Sequence, residues 1–294
     1  MTDTAVAPAA EVAVAHADRL GELPSWRLLV RKPTFLAGVA ILVFWLACAL
    51  FGSTLAPHDP LVQQLLATNA RPSAAHWFGT DQLGRDVASR VITGARDILA
   101  ISFLATLLGT VLGTVLGLVM GYLGGALDLA IGRIVEAVLA LPVVIVAFLF
   151  VVALGPSSPT LIAVIGFVFT PLIARTVRSA VLVETQLDYL SSARLMGEKP
   201  PSIMVTEILP NVMPTILVEF TVRLGYGIFA VATLSFLGFG VQPPTPDWGS
   251  DIFHNYVTLG AGYWWMTLFP ALAIASLVIA INLVTDSIEQ VLAG

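Results

Sequence analysis

The chain has 294 residues, of which 57% are hydrophobic and only 11% are charged, with a mean hydropathy of +0.90. Soluble domains carry about 25% charged residues, so this composition excludes an ordinary soluble domain and indicates a polytopic membrane protein. The formal net charge is -5, and there is no basic tract of the kind that nucleic-acid binding requires. The single Cys48 excludes an intrachain disulfide.

Six apolar stretches are long enough to cross a bilayer core of about 30 Å. They lie at 34–56, 98–123, 129–154, 160–183, 211–236 and 264–286. The sequence therefore predicts an all-α integral membrane protein with six transmembrane helices. Residues 1–24, rich in Ala, Val and Pro without helical periodicity, are interpreted as a mobile N-terminal tail. Residues 25–294 would form the transmembrane domain.

Six spans place both termini on the same side of the membrane, and the basic residues indicate which side. With the N-terminus in the cytoplasm, nine Lys and Arg residues are cytoplasmic or at that border, against four outside. Short loops rich in Lys and Arg stay inside, so both termini are predicted to be cytoplasmic. The segment 57–97 is then external, and the polar loop 184–210 faces the cytoplasm.

The external segment is predicted to end in a surface helix that starts at Asp81. Val87 and Val91 would lie on its apolar face, while Asp86 and Arg90 would form an ion pair at i,i+4 spacing on the other face.

The cytoplasmic loop 184–210 contains a short helix with a pattern that suits docking. The helix has three consecutive small side chains, so that the groove of another protein can approach its backbone closely; they are Ser191, Ser192 and Ala193. Leu195 and Met196 would be apolar anchors, Arg194 would pair at the rim, and Gly197 would end the helix at positive φ. An ordinary solvated loop is the alternative.

This loop resembles a motif of a known family. The run D-Y-L-S-S-A-R-L-M-G, followed by I-L-P-N, is similar to the "EAA" loop of binding-protein-dependent ABC importer permeases. Ser191, Ser192 and Ala193 stand at the E-A-A positions, and Ser191 replaces the usual Glu. The runs H-W-F-G-T-D-Q-L-G-R-D and L-S-F-L-G-F-G-V-Q-P-P-T-P-D-W-G resemble the dipeptide and oligopeptide permeases of the DppC/OppC type.

The resemblance implies the type I ABC importer permease fold and a permease subunit of an ATP-driven peptide importer. It implies four kinds of partner: a second homologous permease, two cytoplasmic ATPase subunits, an extracytoplasmic peptide-binding protein and the peptide substrate. The loop would be a coupling helix that docks into an ATPase through Tyr189, Ser191, Ser192, Ala193, Arg194, Leu195, Met196 and Gly197. The chain would bind no cofactor and catalyse nothing itself, because ATP and Mg would bind in the ATPases.

Three further sets of residues are candidates for packing or function. Glycines at positions 109, 113, 117, 121 and 125 predict close helix packing, within this chain rather than at a subunit seam. Glu219 and Arg223, one turn apart within a span, either neutralise each other or line a water-filled substrate path. On the outer face, Asp247 and Trp248 are candidate contacts for the binding protein, with interfacial anchoring as the alternative for the Trp residues.

Several other functions are weighed against this one. A permease for nickel or antimicrobial peptides in the same family fits the loops equally well. An ion-coupled secondary transporter is less favoured, because no convincing internal repeat is present. The sequence has no G-x-x-x-x-G-K-[ST] loop, and its four histidines lack metal-site spacing, so neither ATP binding nor a metal site is predicted for this chain.

Overall fold

A computed structural model describes Leu29 and residues 32–292. The predicted tail at 1–24 lies outside the described residues. Within the described part of the chain all regular structure is helical, apart from one isolated bridge between Thr80 and Asp86. The all-α fold class that the sequence predicts is therefore confirmed.

The main helices follow the apolar pattern of the sequence. In chain order they are α1 Pro33–Leu55, α2 Val87–Leu123, α3 Gly125–Leu139, α4 Val143–Leu154, α5 Ser158–Glu184, α6 Asp188–Leu195, α7 Leu209–Phe236, α8 Trp248–Asn255 and α9 Trp265–Leu292. Among the described residues, α1, α2, α5, α7 and α9 are each long and apolar enough to cross a membrane. Many of their large apolar side chains are exposed, as suits a surface in contact with lipid.

The predicted third span, 129–154, is not a single straight helix. It consists of α3 and α4, which meet at an angle of 88° and together make a sixth candidate span. The break falls at Leu141-Pro142. Proline lacks the N–H for the helical bond and disfavours a helical conformation in the residue before it, which explains the bend.

The predicted surface helix of the external segment is instead the first part of the long helix α2, which is long and apolar enough to contain a span. Helix α2 begins at Val87, and the carboxylate of Asp86 caps it by accepting a hydrogen bond from the Ser89 N–H. Arg90 is buried and pairs with Asp251, so the predicted Asp86–Arg90 ion pair is wrong. Spacing along one helix could not reveal that α8 brings a closer carboxylate to Arg90.

The glycine stripe of α2 packs against α5 within the same chain. A Cβ at Gly117 would lie 2.7 Å from the Val177 Cβ, and a Cβ at Gly109 would lie 2.9 Å from the Gly166 carbonyl oxygen. Such distances are too short for any larger side chain, so the glycines set the separation of the two helices. The prediction of intramolecular packing is confirmed for four of the five glycines; Gly125 has no neighbour within 4 Å beyond the next residues in sequence.

Candidate functional site: a coupling loop and a polar cap

The coupling loop, residues 184–210, has a short helix with a defined end. Helix α6 ends at Leu195 with Met196 as its C-cap, and Gly197 follows with φ +81°, as the sequence predicts. The N–H of Gly197 donates to the Arg194 carbonyl, and the N–H of Glu198 donates to the Ala193 carbonyl. This pair of bonds is a Schellman motif, which satisfies the last carbonyls of the helix. The helix therefore has a rigid end without help from another subunit.

The two faces of α6 have different surroundings. Leu190 and Ala193 are buried against the rest of the chain, together with Ile203 and Ile208. The opposite face is exposed, and it carries Ser191, Ser192, Arg194, Leu195 and Met196. The side chains of Leu195 and Met196 are 89% and 74% exposed. Ala193, predicted as part of the low docking surface, is instead on the face that anchors the helix.

Tyr189 and Arg194 make contacts within the chain. The Tyr189 hydroxyl donates to the Glu184 carboxylate at 2.7 Å and accepts from the Asn211 side chain at 2.9 Å. Burial, followed by the bond to Glu184, raises the pKa of Tyr189. The Arg194 guanidinium lies 5.1 Å from the centre of the Tyr122 ring at the end of α2. The loop is therefore tied to α2, α5 and α7.

The chain returns toward the bilayer through an irregular helix. Pro200–Ser202 form a helical turn, Ile203–Ile208 form a π-helix, and α7 continues from Leu209. Pro210 and Pro214 have no N–H to donate to the preceding turn, and π-turns accommodate such a change in hydrogen bonding.

Glu219 and Arg223 pair with each other inside α7. The Arg223 Nε lies 2.7 Å from Glu219 Oε1, and both side chains are largely buried. The structure therefore shows the ion pair, and whether the pair also lines a substrate path stays a prediction.

A further ion pair at the coupling-loop end has no signal in the sequence. Arg178 on α5 makes a bidentate contact with Asp128 on α3, at 2.5 and 2.6 Å. The pair borders a cleft of about 300 Å³ that also contacts Arg133, Glu136 and Arg175. The partners are 50 residues apart, so only the packing of α3 against α5 brings them together.

The opposite end of the helices is formed by segments 56–90 and 237–264, which we call the polar cap. Asp247 caps α8 by accepting from the Ser250 N–H, and the Trp248 indole N–H donates to the Val91 carbonyl at 2.8 Å. Asp247 and Trp248 are only 3% and 0% exposed. They therefore form the base of the cap, and the predicted direct contact with a binding protein is not available to them in this conformation.

The predicted interfacial role of the tryptophans is wrong for two of them. Trp248 is buried, and so is Trp265, whose indole N–H donates to the Thr80 carbonyl at 3.1 Å. Trp264 is exposed. A buried indole requires a hydrogen-bond acceptor, and in both cases the acceptor comes from a distant part of the chain.

Buried charges hold the polar cap together. The Arg90 guanidinium lies 2.6 Å from Asp251, and Arg85 lies 2.6 Å from Asp81. Burial raises the pKa of Asp251 more than Arg90 lowers it. Burial likewise raises the pKa of Asp247 to about 6, against the hydrogen bonds from Ser250 and Ser235. The cap thus depends on charges that only this folded arrangement pairs.

Comparison with known proteins defines the class of protein to which this chain belongs. Residues 113–293 match a family described as "Binding-protein-dependent transport system inner membrane component", and residues 25–72 match the "N-terminal TM domain of oligopeptide transport permease C". The chain therefore belongs to the family of inner-membrane components of binding-protein-dependent transport systems. It is a multi-pass permease subunit of the inner membrane.

Individual relatives show which members of the family this chain is similar to. The chain is 37% identical over 268 residues to the dipeptide transport system permease protein DppC of Bacillus subtilis (strain 168), covering 91% of this chain and 84% of the relative. It is 39% identical over 273 residues to DppC of Escherichia coli (strain K12), covering 91% of both chains. A solved structure of the MetNI methionine ABC transporter in inward facing conformations has a TM-score of 0.53 at 22% identity, covering 69% of this chain and 95% of that chain. This likeness confirms the predicted type I ABC importer permease fold.

Proposed function

We propose that this chain is the permease subunit of an ATP-driven importer of dipeptides or oligopeptides. The peptide class is supported by the DppC relatives, which are similar over 91% of the chain. A second homologous permease would complete the translocation path, and two ATPase subunits would hold ATP and Mg²⁺ and do the catalysis. An extracytoplasmic binding protein would deliver the peptide. Nickel or antimicrobial peptides as cargo, and ion coupling, have no observation in their favour.

The orientation follows from the coupling loop and the basic residues. The ATPases are cytoplasmic in this proposal, so the coupling loop and both termini face the cytoplasm. The polar cap then faces outward, toward the binding protein. Because Asp247 and Trp248 are buried, they would act on the binding protein indirectly, by shaping the exposed surface around Tyr256, Val257 and Trp264.

The exposed tip of α6 is the observation that carries the proposal. Leu195 and Met196 are adjacent and exposed, although the helix that carries them is capped and packed against the chain. Burying each side chain in a groove would contribute about 1.5–3 kcal/mol. Single exposed apolar residues are ordinary, but two at the end of an anchored helix suit the helix-in-groove mode of binding.

The contacts of α6 suggest how closure of the ATPases would reach the spans. Tyr189 links α6 to the end of α5 and the start of α7, and Arg194 links it to the end of α2. A displacement of α6 would therefore move these three helices together. ATP binding would favour one of two arrangements of the spans, and so exchange inward for outward access.

The double variant Leu195→Ala/Met196→Ala tests the docking. We expect it to fold normally but to co-purify with at least tenfold less ATPase in mild detergent, because the apolar anchors are lost. Peptide uptake should fall in parallel. The matched control is Leu66→Ala, which removes an apolar side chain that is 106% exposed on the polar cap. Full ATPase recovery with the double variant would contradict the proposal.

Glu219 and Arg223 are proposed to line the substrate path as a neutral pair. A peptide has one charged group at each end, so either residue could exchange its partner for a peptide terminus. The double variant Glu219→Gln/Arg223→Gln keeps similar volumes and removes both charges. We expect peptide uptake to fall severalfold at unchanged expression. Unchanged uptake would remove these residues from the path.

A further inference from the structure

Three side chains from residues 58–86 meet at the base of the polar cap. His58 follows the end of α1, His76 lies in the long segment before α2, and Asp86 is the residue that caps α2. The sequence predicts no metal site, because the histidines have no recognisable spacing. The fold removes that objection by placing one ligand atom from each residue within 4.8 Å of the others.

The distances suit a small ion with nitrogen and oxygen ligands. His76 Nδ1 lies 2.8 Å from Asp86 Oδ1, and His58 Nδ1 lies 3.7 Å from the same oxygen. The two imidazole rings are 4.9 Å apart and inclined at 37°. Tetrahedral zinc with bonds of about 2.0 Å separates its ligand atoms by about 3.3 Å, so the two histidine–carboxylate separations differ from a tetrahedral one by about 0.5 Å.

Apart from the contact between His76 and Asp86, the surrounding hydrogen bonds leave the ligand atoms available. Asp86 Oδ2 accepts from the Ser89 N–H at 2.8 Å and from the Ser89 hydroxyl at 2.7 Å. The same hydroxyl accepts from the backbone N–H of His58 at 3.0 Å. Ser89 therefore orients both the carboxylate and the His58 backbone, as outer partners of metal ligands do. Asp86 Oδ1 is left to face the two imidazoles.

A simple ion pair does not account for His58. Pairing between His76 and Asp86 satisfies those two side chains, but His58 Nδ1 is a buried atom without a hydrogen-bond partner. Buried polar atoms are normally paired, so an orphan nitrogen directed at a neighbouring carboxylate calls for an explanation. A shared cation would satisfy the His58 nitrogen, the His76 nitrogen and the carboxylate oxygen at once.

We propose that His58, His76 and Asp86 form a zinc(II) site, with water as the fourth ligand. Two imidazoles and one carboxylate are ligands that zinc accepts, whereas Mg²⁺ prefers oxygen ligands alone. The His58 side chain is 38% exposed, which gives the ion a route of entry. Bound zinc would fasten the chain after α1, the segment around residue 76 and the start of α2 to one another. The proposal does not depend on the peptide path.

Binding changes the protonation of the rings. Each Nδ1 must be unprotonated to bind zinc, so a neutral His76 carries its proton on Nε2 in the bound form, and a charged ring releases one proton to solvent. Protons therefore compete with zinc for these two nitrogens.

The test uses the full-length chain, purified in detergent, stripped of metal and titrated with ZnCl₂. We expect one zinc per chain by metal analysis and calorimetry, and a higher unfolding temperature that EDTA reverses. MgCl₂ should leave the unfolding temperature unchanged. Co²⁺ in place of zinc should give visible absorption bands typical of tetrahedral or five-coordinate nitrogen and oxygen ligation.

Histidine variants decide where the zinc binds. His58→Ala should weaken binding by at least about 100-fold, because losing a ligand costs more than losing an outer partner. His16→Ala and His254→Ala remove the other two of the four histidines and should bind zinc normally. Since His76→Ala also removes the partner of Asp86, a folding failure there leaves His58→Ala as the deciding variant. No stoichiometric zinc on the parent chain, or unchanged zinc binding by His58→Ala, would overturn the proposal.

Discussion

The polar cap and the coupling loop differ in which side chains they bury. The cap encloses its polar side chains, and in this region the buried ones are His76, Thr80, Asp81, Arg85, Asp86, Ser89, Arg90, Asp247, Asp251 and Asn255. In the coupling loop, by contrast, every titratable side chain is partly or fully exposed, and two large apolar side chains are among the most exposed in the described chain.

This difference indicates which end satisfies its buried charges by itself, although the cap also exposes Leu65 and Leu66. The cap pairs its charges internally, so its structure does not depend on another subunit to satisfy them. The coupling loop has its backbone capped and its base packed, but its apolar tip has no cover within the chain. Substitutions in the cap should therefore change the free energy of unfolding, and substitutions at the tip of the loop should change association with the ATPase.

The largest effect is expected from breaking the buried pair between Arg90 and Asp251. Arg90→Met leaves the Asp251 carboxylate buried without its cation, which should lower the free energy of unfolding by about 3–5 kcal/mol. Arg90→Met/Asp251→Leu should recover much of that loss. Thermal unfolding in detergent measures both, and equal losses in the single and double variants would show that the charge pair is not what matters.

A smaller effect should appear as a dependence of stability on pH. The pKa of Asp247 rises from 3.8 to about 6 on folding, so the folded state holds a proton there that the unfolded state has lost. The free energy of unfolding should therefore fall as the pH rises from about 4 to about 6, by about 3 kcal/mol at 1.36 kcal/mol per pKa unit.

Asp247→Asn isolates that contribution, because asparagine caps a helix about as well as aspartate and does not titrate. The variant should lose this part of the pH dependence and be more stable than the parent chain at pH 7. Unfolding measured at pH 4, 5, 6 and 7 provides the comparison. Parallel curves for the variant and the parent would show that Asp247 does not carry the titration.

The smallest effect is expected at the coupling loop. Arg194→Ala removes the contact with the Tyr122 ring, which at an exposed site contributes about 0.5–1 kcal/mol. Lys199→Ala is the matched control, since this nearby exposed cation has no aromatic partner among the described residues. The free energy of unfolding should be slightly lower for Arg194→Ala and unchanged for Lys199→Ala. A loss above about 2 kcal/mol would mean that the loop, like the cap, is held by its own charges.

Features that depend on neighbouring residues could be predicted from the sequence. The apolar runs predict the spans because crossing a bilayer requires a minimum length of uncharged helix. The glycine at position 197 predicts a positive φ there, because glycine has no Cβ to oppose it. The glycine stripe predicts a closely packed neighbouring helix for the same reason, since no side chain separates the two backbones. The loop motif similarly identifies the family from a continuous run of residues.

Features that join distant residues were decided by the tertiary structure. Arg90 meets Asp251 across 161 positions, and the Trp248 indole meets the Val91 carbonyl across 157. The local pattern predicts the wrong partner for Arg90 and the wrong surroundings for Trp248, because both depend on how α8 packs against α2. His58, His76 and Asp86 likewise share no local pattern, and only the path of the chain after α1 brings their ligand atoms together.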